Sequence, residues 1–375
     1  MRIDSIELEG FRNYSHASAE FIPGVNVIIG DNAEGKTNLL EALYIICAGR
    51  SFRAKSDKEL IGFTGSEARI RAEGFAGDRE RLTEIVFRRL GRRSMLSNGV
   101  KLKSASELSE NMSAVLFCPE DLGLIREGAS ARRRLMDAAL CQLRPRYASA
   151  LNLFGRAYEQ KTRILRDSAE EPGLLELLDE YDEQLARLSA ELIHYRAVFA
   201  RRLGPEAARI HSDFSGGEEL SVEYKTVGTI EDPTLPASEL FPRIMEHQLS
   251  HRTAERASRL CPTGAHKDDL IIKINGADAR SFASQGQART AALSLKLAER
   301  EIHFSAMGEY PILLLDDVLS ELDPGRQSFI LNRIGGGQVF ITCCEDDGVI
   351  AERTGGRVLT VKNGTIGGGE QCIST

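Results

Sequence analysis

The stretch "GDNAEGKTN", residues 30 to 38, decides how the rest of the chain is read. Gly30, Gly35, Lys36 and Thr37 match G-x-x-x-x-G-K-[ST]. Glycines let a backbone wrap an anion and aim its N–H groups at it. The lysine reaches the outer phosphates of a nucleoside triphosphate, and the hydroxyl helps to hold Mg²⁺. Such a loop needs a strand before it and a helix after it. "GVNVIIG" is a short apolar run, Val25, Val27, Ile28 and Ile29, that reads as a buried strand ending at Gly30. "NLLEALYIICAG" then sets Leu39, Leu40, Leu43, Ile46 and Cys47 at helical spacing, with Gly49 able to end the helix. Strand, glycine loop and helix are the context that nucleotide binding requires.

The bulk composition sets limits. The chain has 375 residues, 42% of them hydrophobic and 27% charged, enough for two or three globular domains with a sizeable core. The formal net charge is −7, so any contact with nucleic acid needs a local basic surface. Seven cysteines without C-x-x-C spacing suggest a reducing compartment, and Cys343–Cys344 reads as strand core. The start, "MRIDSIELEGF", is too charged for a signal peptide, and no apolar run approaches the ~20 residues that span a bilayer. The expected location is cytoplasmic, without a membrane partner.

Further along, "RIDSIELEGF" reads as a half-buried strand. Residues 67 to 103 contain short β runs with Asn98–Gly99 as a hairpin turn, and read as a small antiparallel sheet. The segment carries Arg88, Arg89, Arg92, Arg93, Lys101 and Lys103. From about 129 to 210 the pattern is helical, with Leu175, Leu178, Tyr181, Leu185, Leu188 and Leu192 along one stripe. "ELSVEYKTV" and "DLIIKIN" read as strands, "ARTAALSLKLAEREIHF" as an amphipathic helix, and "GRVLTVKNGTI" as a terminal hairpin turning at Asn363–Gly364.

Two more stretches carry chemistry. "ILLLDD", Ile312 to Asp317, places two carboxylates at the end of a buried strand. Beside a phosphate loop, Asp316 is the candidate for Mg²⁺ and Asp317 the candidate to orient or deprotonate the attacking water. "FASQGQART" puts Ser284, Gly286 and Gln287 before a helix, where N–H groups make an anion site. An ordinary capped helix is the plainer reading of Ser284. Two phosphate-binding features far apart in one chain suggest two subunits sharing nucleotides.

"GDNAEGKTN", "SQGQ", "ILLLDD" and "SELD" (Ser320 to Asp323) stand in the order seen in ABC-type ATPases. "SQGQ" looks like their signature loop and "SELD" like their D-loop. Within that class the chain resembles the RecF family of bacterial recombination mediators, relatives of SMC proteins. "GFRNY" at 10 to 14, "GRSFR" at 49 to 53, "FCPEDL" at 117 to 122 and "GAHKDDL" at 264 to 270 fit it, with Ala265 and Lys267 as departures. The resemblance implies that Gly30, Asp31, Asn32, Ala33, Glu34, Gly35, Lys36, Thr37 and Asn38 hold ATP, with Arg12 and Asn13 nearby. Thr37 and Asp316 would hold Mg²⁺. Lys36, Asp317 and Ser284 would be catalytic. Ser284, Gly286 and Gln287 would meet the γ-phosphate bound to the opposite subunit, and Asp323 would sit at the dimer seam. His266 has a structural reading beside a functional one.

The expected fold is α/β: an ABC-type ATPase head, a mixed sheet with helices plus a small antiparallel β subdomain, and a helical arm domain. The expected division is 1–122 for the first part of the head, 123–260 for the arm and 261–375 for the rest of the head. The resemblance implies a weak ATPase in DNA repair, replication, recombination and the SOS response to DNA damage. It would dimerise on ATP, act at gaps or single-strand/double-strand junctions, and help RecR- and RecO-like partners load recombinase. The basic segments "RRLGRR" and "ARRRL" (Arg132 to Arg134) could meet DNA phosphates, reading backbone and not sequence. An SMC-like structural ATPase would need far longer heptad arms. A transporter subunit would favour a switch histidine where this chain has Thr342 and cysteines, and a plain kinase or GTPase leaves "SQGQ" and "SELD" unexplained.

Overall fold

The computed structural model describes residues 1–109, 112–344 and 349–371. In chain order the first strands are β1 (Arg2–Phe11), β2 (Tyr14–Glu20), β3 (Val25–Ile29), β4 (Glu67–Ala76) and β5 (Arg79–Arg88). Then come β6 (Ser94–Ser97), β7 (Val100–Lys101), β8 (Ala114–Phe117), β9 (Leu220–Lys225) and β10 (Asp269–Ile274). The last are β11 (Ala277–Asp278), β12 (Ile312–Asp316), β13 (Val339–Cys343), β14 (Arg357–Lys362) and β15 (Thr365–Gln371). The longer helices are α1 (Lys36–Ala48), α2 (Ala129–Leu143), α3 (Pro145–Asp167), α4 (Leu178–Ser215), α5 (Ala237–Ser258), α6 (Gln285–Met307) and α7 (Pro324–Arg333).

The chain divides into two compact units, Met1–Asp121 with Lys296–Thr375, and Leu122–Leu295. The first unit holds two six-stranded sheets. One is antiparallel in the order β2-β1-β4-β5-β6-β7. It is larger than the antiparallel subdomain expected from residues 67 to 103, because β1 and β2 extend it. In β1 the buried side chains are Ile3, Ile6, Leu8 and Phe11. The first step is three residues long, and a register shift between Ile3 and Ser5 absorbs the extra one, as a bulge does. Asn98 and Asn363 both turn their hairpins at φ 48, the left-handed geometry that a two-residue turn demands.

The second sheet has the order β15-β14-β3-β13-β12-β8, parallel except for its terminal hairpin. Its inner strands are apolar almost throughout, as strands covered on both faces must be. Leu39, Leu40, Leu43 and Ile46 of α1 share one core with Ile6, Leu8 and Ile70 of the first sheet and with Ile28, Leu314 and Phe340 of the second. Truncating one of these leucines to Ala should cost ~2–5 kcal/mol.

The second unit packs α2 to α5 and the start of α6 around the sheet β11-β10-β9. Its boundary falls at 295, whereas the sequence suggested a return to the head at 261. The reason is pairing: β10 is antiparallel to β9, with Ile272 opposite Val222, so residues after 261 fold with the helical unit. The expected leucine stripe also starts later, since Pro172–Leu177 is a separate 3₁₀ turn and the long helix begins at Leu178.

Buried charge organises this unit. Arg196 is 2% exposed and donates to Asp268 at 3.0 Å, to the Ala265 carbonyl at 2.6 Å and to Asp137 at 2.9 Å. Asp268 also accepts from Tyr224 at 2.5 Å and Thr226 at 2.7 Å. Arg132 is buried and forks onto Asp269 at 2.7 and 2.9 Å, and Arg133 donates to the Asp268 carbonyl at 2.7 Å. Two of the three arginines in "ARRRL" therefore hold the fold, which corrects the expectation that they meet DNA. Removing a buried ion's partner leaves a charge without water. Asp268→Ala should cost ~3–5 kcal/mol in chemical unfolding, while Arg134→Ala, at an exposed side chain, should stay within about 0.5 kcal/mol.

Candidate nucleotide-binding site

The site lies where the parallel strands of the first unit end. β3 stops at Ile29 and the chain turns through residues 30–35 into α1. Gly30 has φ 155, and a Cβ there would stand 2.2 Å from the Val361 carbonyl oxygen. At Gly35, φ 124, a Cβ would press on the Asn13 amide and the Tyr14 hydroxyl, at 2.8 and 2.9 Å. Both positions need glycine: Gly30 passes against the Val361 backbone and Gly35 against the Asn13 and Tyr14 side chains, each at a positive φ. The N-terminus of α1 has no side-chain cap and no acidic residue in its first turn. Its N–H groups and its dipole are left for an anion.

Lys36 is buried, and its Nζ donates to the Gly30 and Asp31 carbonyls at 2.6 and 2.9 Å. Parallel register sets Asp316 opposite Thr342, and Thr342 in turn opposite Ile28. Asp316 Oδ1 accepts from Thr37 Oγ1 at 3.0 Å and from Thr342 Oγ1 at 2.8 Å. Thr342 Oγ1 itself accepts from the Asp317 N–H at 2.9 Å. Burial holds the Asp316 carboxyl above its usual range, and the bonds from Thr342 and Thr37 offset part of that shift. Asp317 takes φ 52, accepts from Ser320 at 2.8 Å and faces the same cavity of about 170 Å³.

A second layer steadies the loop. Asn13 Nδ2 donates to the Glu34 carbonyl at 2.8 Å, and Asn38 Nδ2 donates to Asn13 Oδ1 at 2.6 Å. Arg12, at φ 55 in the turn between β1 and β2, forks onto Glu41 through bonds of 2.8 Å. Glu41 is wholly buried in α1 and also receives Arg53 and Ser51. Burial pushes its pKa up, but the bonds from Arg12, Arg53 and Ser51 outweigh it and hold the carboxyl below its usual range.

ATP with Mg²⁺ fits these residues. The loop is a glycine cradle, and Thr37 and Asp316 converge within 3.0 Å. Among the described residues no group of three or more His, Cys, Asp or Glu gathers to hold a metal. That donor set suits an ion that takes most of its ligands from phosphates and water. The cavity also reaches Ala33, at φ 68, and Asn32, whose Oδ1 accepts from Cys344 Sγ at 2.9 Å.

Residues 2–366 match the family described as RecF/RecN/SMC N terminal domain. The DNA replication and repair protein RecF of Agathobacter rectalis is 38% identical over 94% of this chain and 95% of its own length. That of Bacillus subtilis is 37% identical over 98% and 100%. The chain belongs to the RecF family. Solved structures of the recombination mediator protein RecF-ATPrS and RecF-ATP in the RecFOR pathway match it with TM-scores of 0.91 and 0.86 at 32% identity. Each match covers 98% of this chain, with 98% and 99% of the solved chains. The Smc head domain of Pyrococcus furiosus, 18% identical with a TM-score of 0.56, shares the fold. The fold is thus the ABC-type head of RecF and SMC proteins.

The expected residues of the first unit, Arg12, Asn13, the loop from Gly30 to Asn38, Asp316 and Asp317, come together. Ser284, Gly286 and Gln287 lie in the second unit, and the helix there begins at Gln285, so Gly286 and Gln287 fall inside its first turn. Ser284 Oγ accepts from the Gln287 N–H at 3.2 Å, and Gln287 Oε1 accepts from the Ser284 N–H at 2.9 Å, a reciprocal capping box. His266 is a packing group: Nε2 meets the Cys261 carbonyl at 3.0 Å, Tyr158 lies 4.5 Å away, and burial lowers its pKa to about 4.

Four residues of the site were missed in the sequence. Thr342 and Cys344 stand at a strand end beside the acid strand. Arg53 is, with Lys36, a second cation lining the cavity. Glu41 had a visible signal, a carboxylate inside the apolar run "NLLEALYII". Because its folded pKa is depressed, Glu41 stabilises the protein above its unfolded value, and that contribution is lost as pH falls through the folded one. Glu41→Gln should therefore cost on the order of 2 kcal/mol in urea unfolding at pH 7. The difference from wild type should vanish in strong acid, below the depressed folded value.

Proposed function

We propose that this protein is an ATP-dependent DNA-binding recombination mediator whose two copies close on shared nucleotides. The observation that carries the reading is the convergence of Thr37, Asp316 and Thr342 beneath the uncapped start of α1. Gly30, Asp31, Asn32, Ala33, Glu34, Gly35 and Asn38 would line the triphosphate, with Lys36 turning from the loop carbonyls to its outer phosphates. Thr37 and Asp316 would hold Mg²⁺, which when bound would screen phosphate charge. Asp317 would orient the attacking water, and Arg12 and Asn13 would brace the loop.

In this reading Ser284, with the helix start at Gly286 and Gln287, meets the γ-phosphate held by the second copy. ATP then favours the closed dimer because only that state contacts the nucleotide from both sides. Slow hydrolysis would release it. The pathway named for the solved relatives supports RecR- and RecO-like partners. In this reading the protein works in the cytoplasm and helps load recombinase at gaps or junctions. The repair and replication role named for the curated relatives supports the same process. No helix among the described residues is long and apolar enough to cross a membrane.

The antiparallel sheet offers the DNA surface. Arg89 is not part of it, since it clasps the carbonyls of Gly62, Phe63 and Gly65 at 2.9, 3.0 and 2.5 Å. Phe63, whose carbonyl Arg89 holds, and Leu90, next to Arg89 in the chain, are 102% and 89% exposed, an apolar tip two residues before the exposed Arg92. Such a tip suits DNA backbone contact with an apolar wedge at a junction.

Light scattering with and without ATP tests the central claim. Wild type should shift from monomer to dimer, and Lys36→Ala should not. Ser284→Arg should keep ATP binding by the monomer and lose the dimer; equal loss of both would place the serine in its own subunit's site. Reversing charge at Arg92 and Arg93 should weaken binding to gapped DNA by about tenfold at low salt and less at high salt. Unchanged binding would move the DNA to another surface.

A further inference from the structure

Gln287 is held by more than its own helix cap. Its Nε2 donates to Glu218 Oε1 at 2.7 Å, while its Oε1 accepts from Ser284. Both ends of the amide are therefore engaged, one on the serine and one on a carboxylate distant in sequence. Glu218 sits just past the C-terminus of the 38-residue helix α4, after the turn Gly216–Gly217, with φ 75 and 110. Its own N–H donates to Ser215 Oγ at 3.0 Å, and the Gly217 N–H donates to the Ser212 carbonyl at 3.1 Å. Its second oxygen faces Nε2 of the fully buried His211 at 3.5 Å, and the other His211 nitrogen lies 3.4 Å from Ser294 Oγ on α6. The end of α4 is thus bonded to α6 at two heights, at Gln287 in its first turn and at Ser294 further along.

We propose that Glu218 is a positioning residue for the phosphate-facing serine, tying Gln287, and through it Ser284, to the end of α4. With Gln287 fixed, the Ser284 oxygen accepts from the Gln287 N–H, and its own O–H is left to donate to a phosphate oxygen. The bond from amide to carboxylate is charge-assisted and stronger than a neutral one. Without it the amide is free to turn to water, the cap loosens, and the hydroxyl loses its fixed direction. A displacement at the end of α4 would reach Ser284 by the same bond, so whatever loads that helix adjusts closure on the nucleotide. This rests on Ser284 meeting the partner's γ-phosphate, and names what sets that contact.

The test compares Glu218→Ala, Glu218→Gln and Ser284→Arg in the full chain, using ATP itself. Dimerisation is read by light scattering, and ATP affinity of the monomer is read at protein concentrations too low to dimerise. Glu218→Ala should weaken ATP-driven dimerisation about tenfold, the loss expected for one charge-assisted bond. Its monomer should bind ATP as wild type does. Glu218→Gln keeps an acceptor at the same place and should stay within about threefold of wild type. Hydrogen exchange at the Gln287 N–H should quicken in Glu218→Ala and not in Glu218→Gln, a local signature that general loss of fold would not give. The inference is overturned if Ser284→Arg blocks the dimer while Glu218→Ala closes normally. It is equally overturned if Glu218→Ala and Glu218→Gln lose closure alike. If Ser284→Arg itself closes normally, the shared-nucleotide reading fails first and takes this one with it.

Discussion

Asp316 is the point on which the nucleotide site depends. One carboxylate oxygen accepts from Thr37 at the start of α1 and from Thr342 at the end of β13, while the acid itself ends β12. Three elements far apart in sequence are joined by two hydroxyls on one buried acceptor. A carboxylate removed from water must be bonded or neutralised, and its raised pKa records that tension. In the proposed reading, a divalent cation beside it would relieve the same tension.

The same economy of buried charge recurs around it. Glu41 would be costly in the middle of α1, yet it holds Arg53 at the rim of the cavity and Arg12 in the turn between β1 and β2. In the helical unit, Arg196 and Asp268 play the corresponding part, drawing α4, β9 and the loop before β10 to one place. These pairs specify position as much as they add stability. Buried pairing also explains why a run that looks like a ligand surface in sequence, "ARRRL", turns two of its three arginines inward.

Much of the architecture was legible because it is local. The two Asn–Gly turns, the apolar strands β3, β12 and β13, and the glycine end of α1 each announce themselves within a few residues. β2 did not, since Tyr14, Ala17 and Ala19 are mostly small on the buried face and give a weak alternation. The unit boundary did not either. Nothing near residue 261 shows that β10 will pair with β9, because strand pairing across some 45 residues leaves no mark on either segment alone.

What the amino-acid sequence determined by itself was the chemistry on offer: a glycine loop with Lys36 and Thr37, an acid pair ending an apolar strand, and a serine at a helix start. Spacing along the chain carries those, since loop conformation and helix capping are decided within one turn. Only tertiary structure decided which charges are free. Arg92 and Arg132 are the same side chain in similar basic runs, yet one is exposed and the other locked on Asp269. Burial depends on what packs from elsewhere, and so do the Thr342 bond to Asp316 and the Glu218 bond to Gln287.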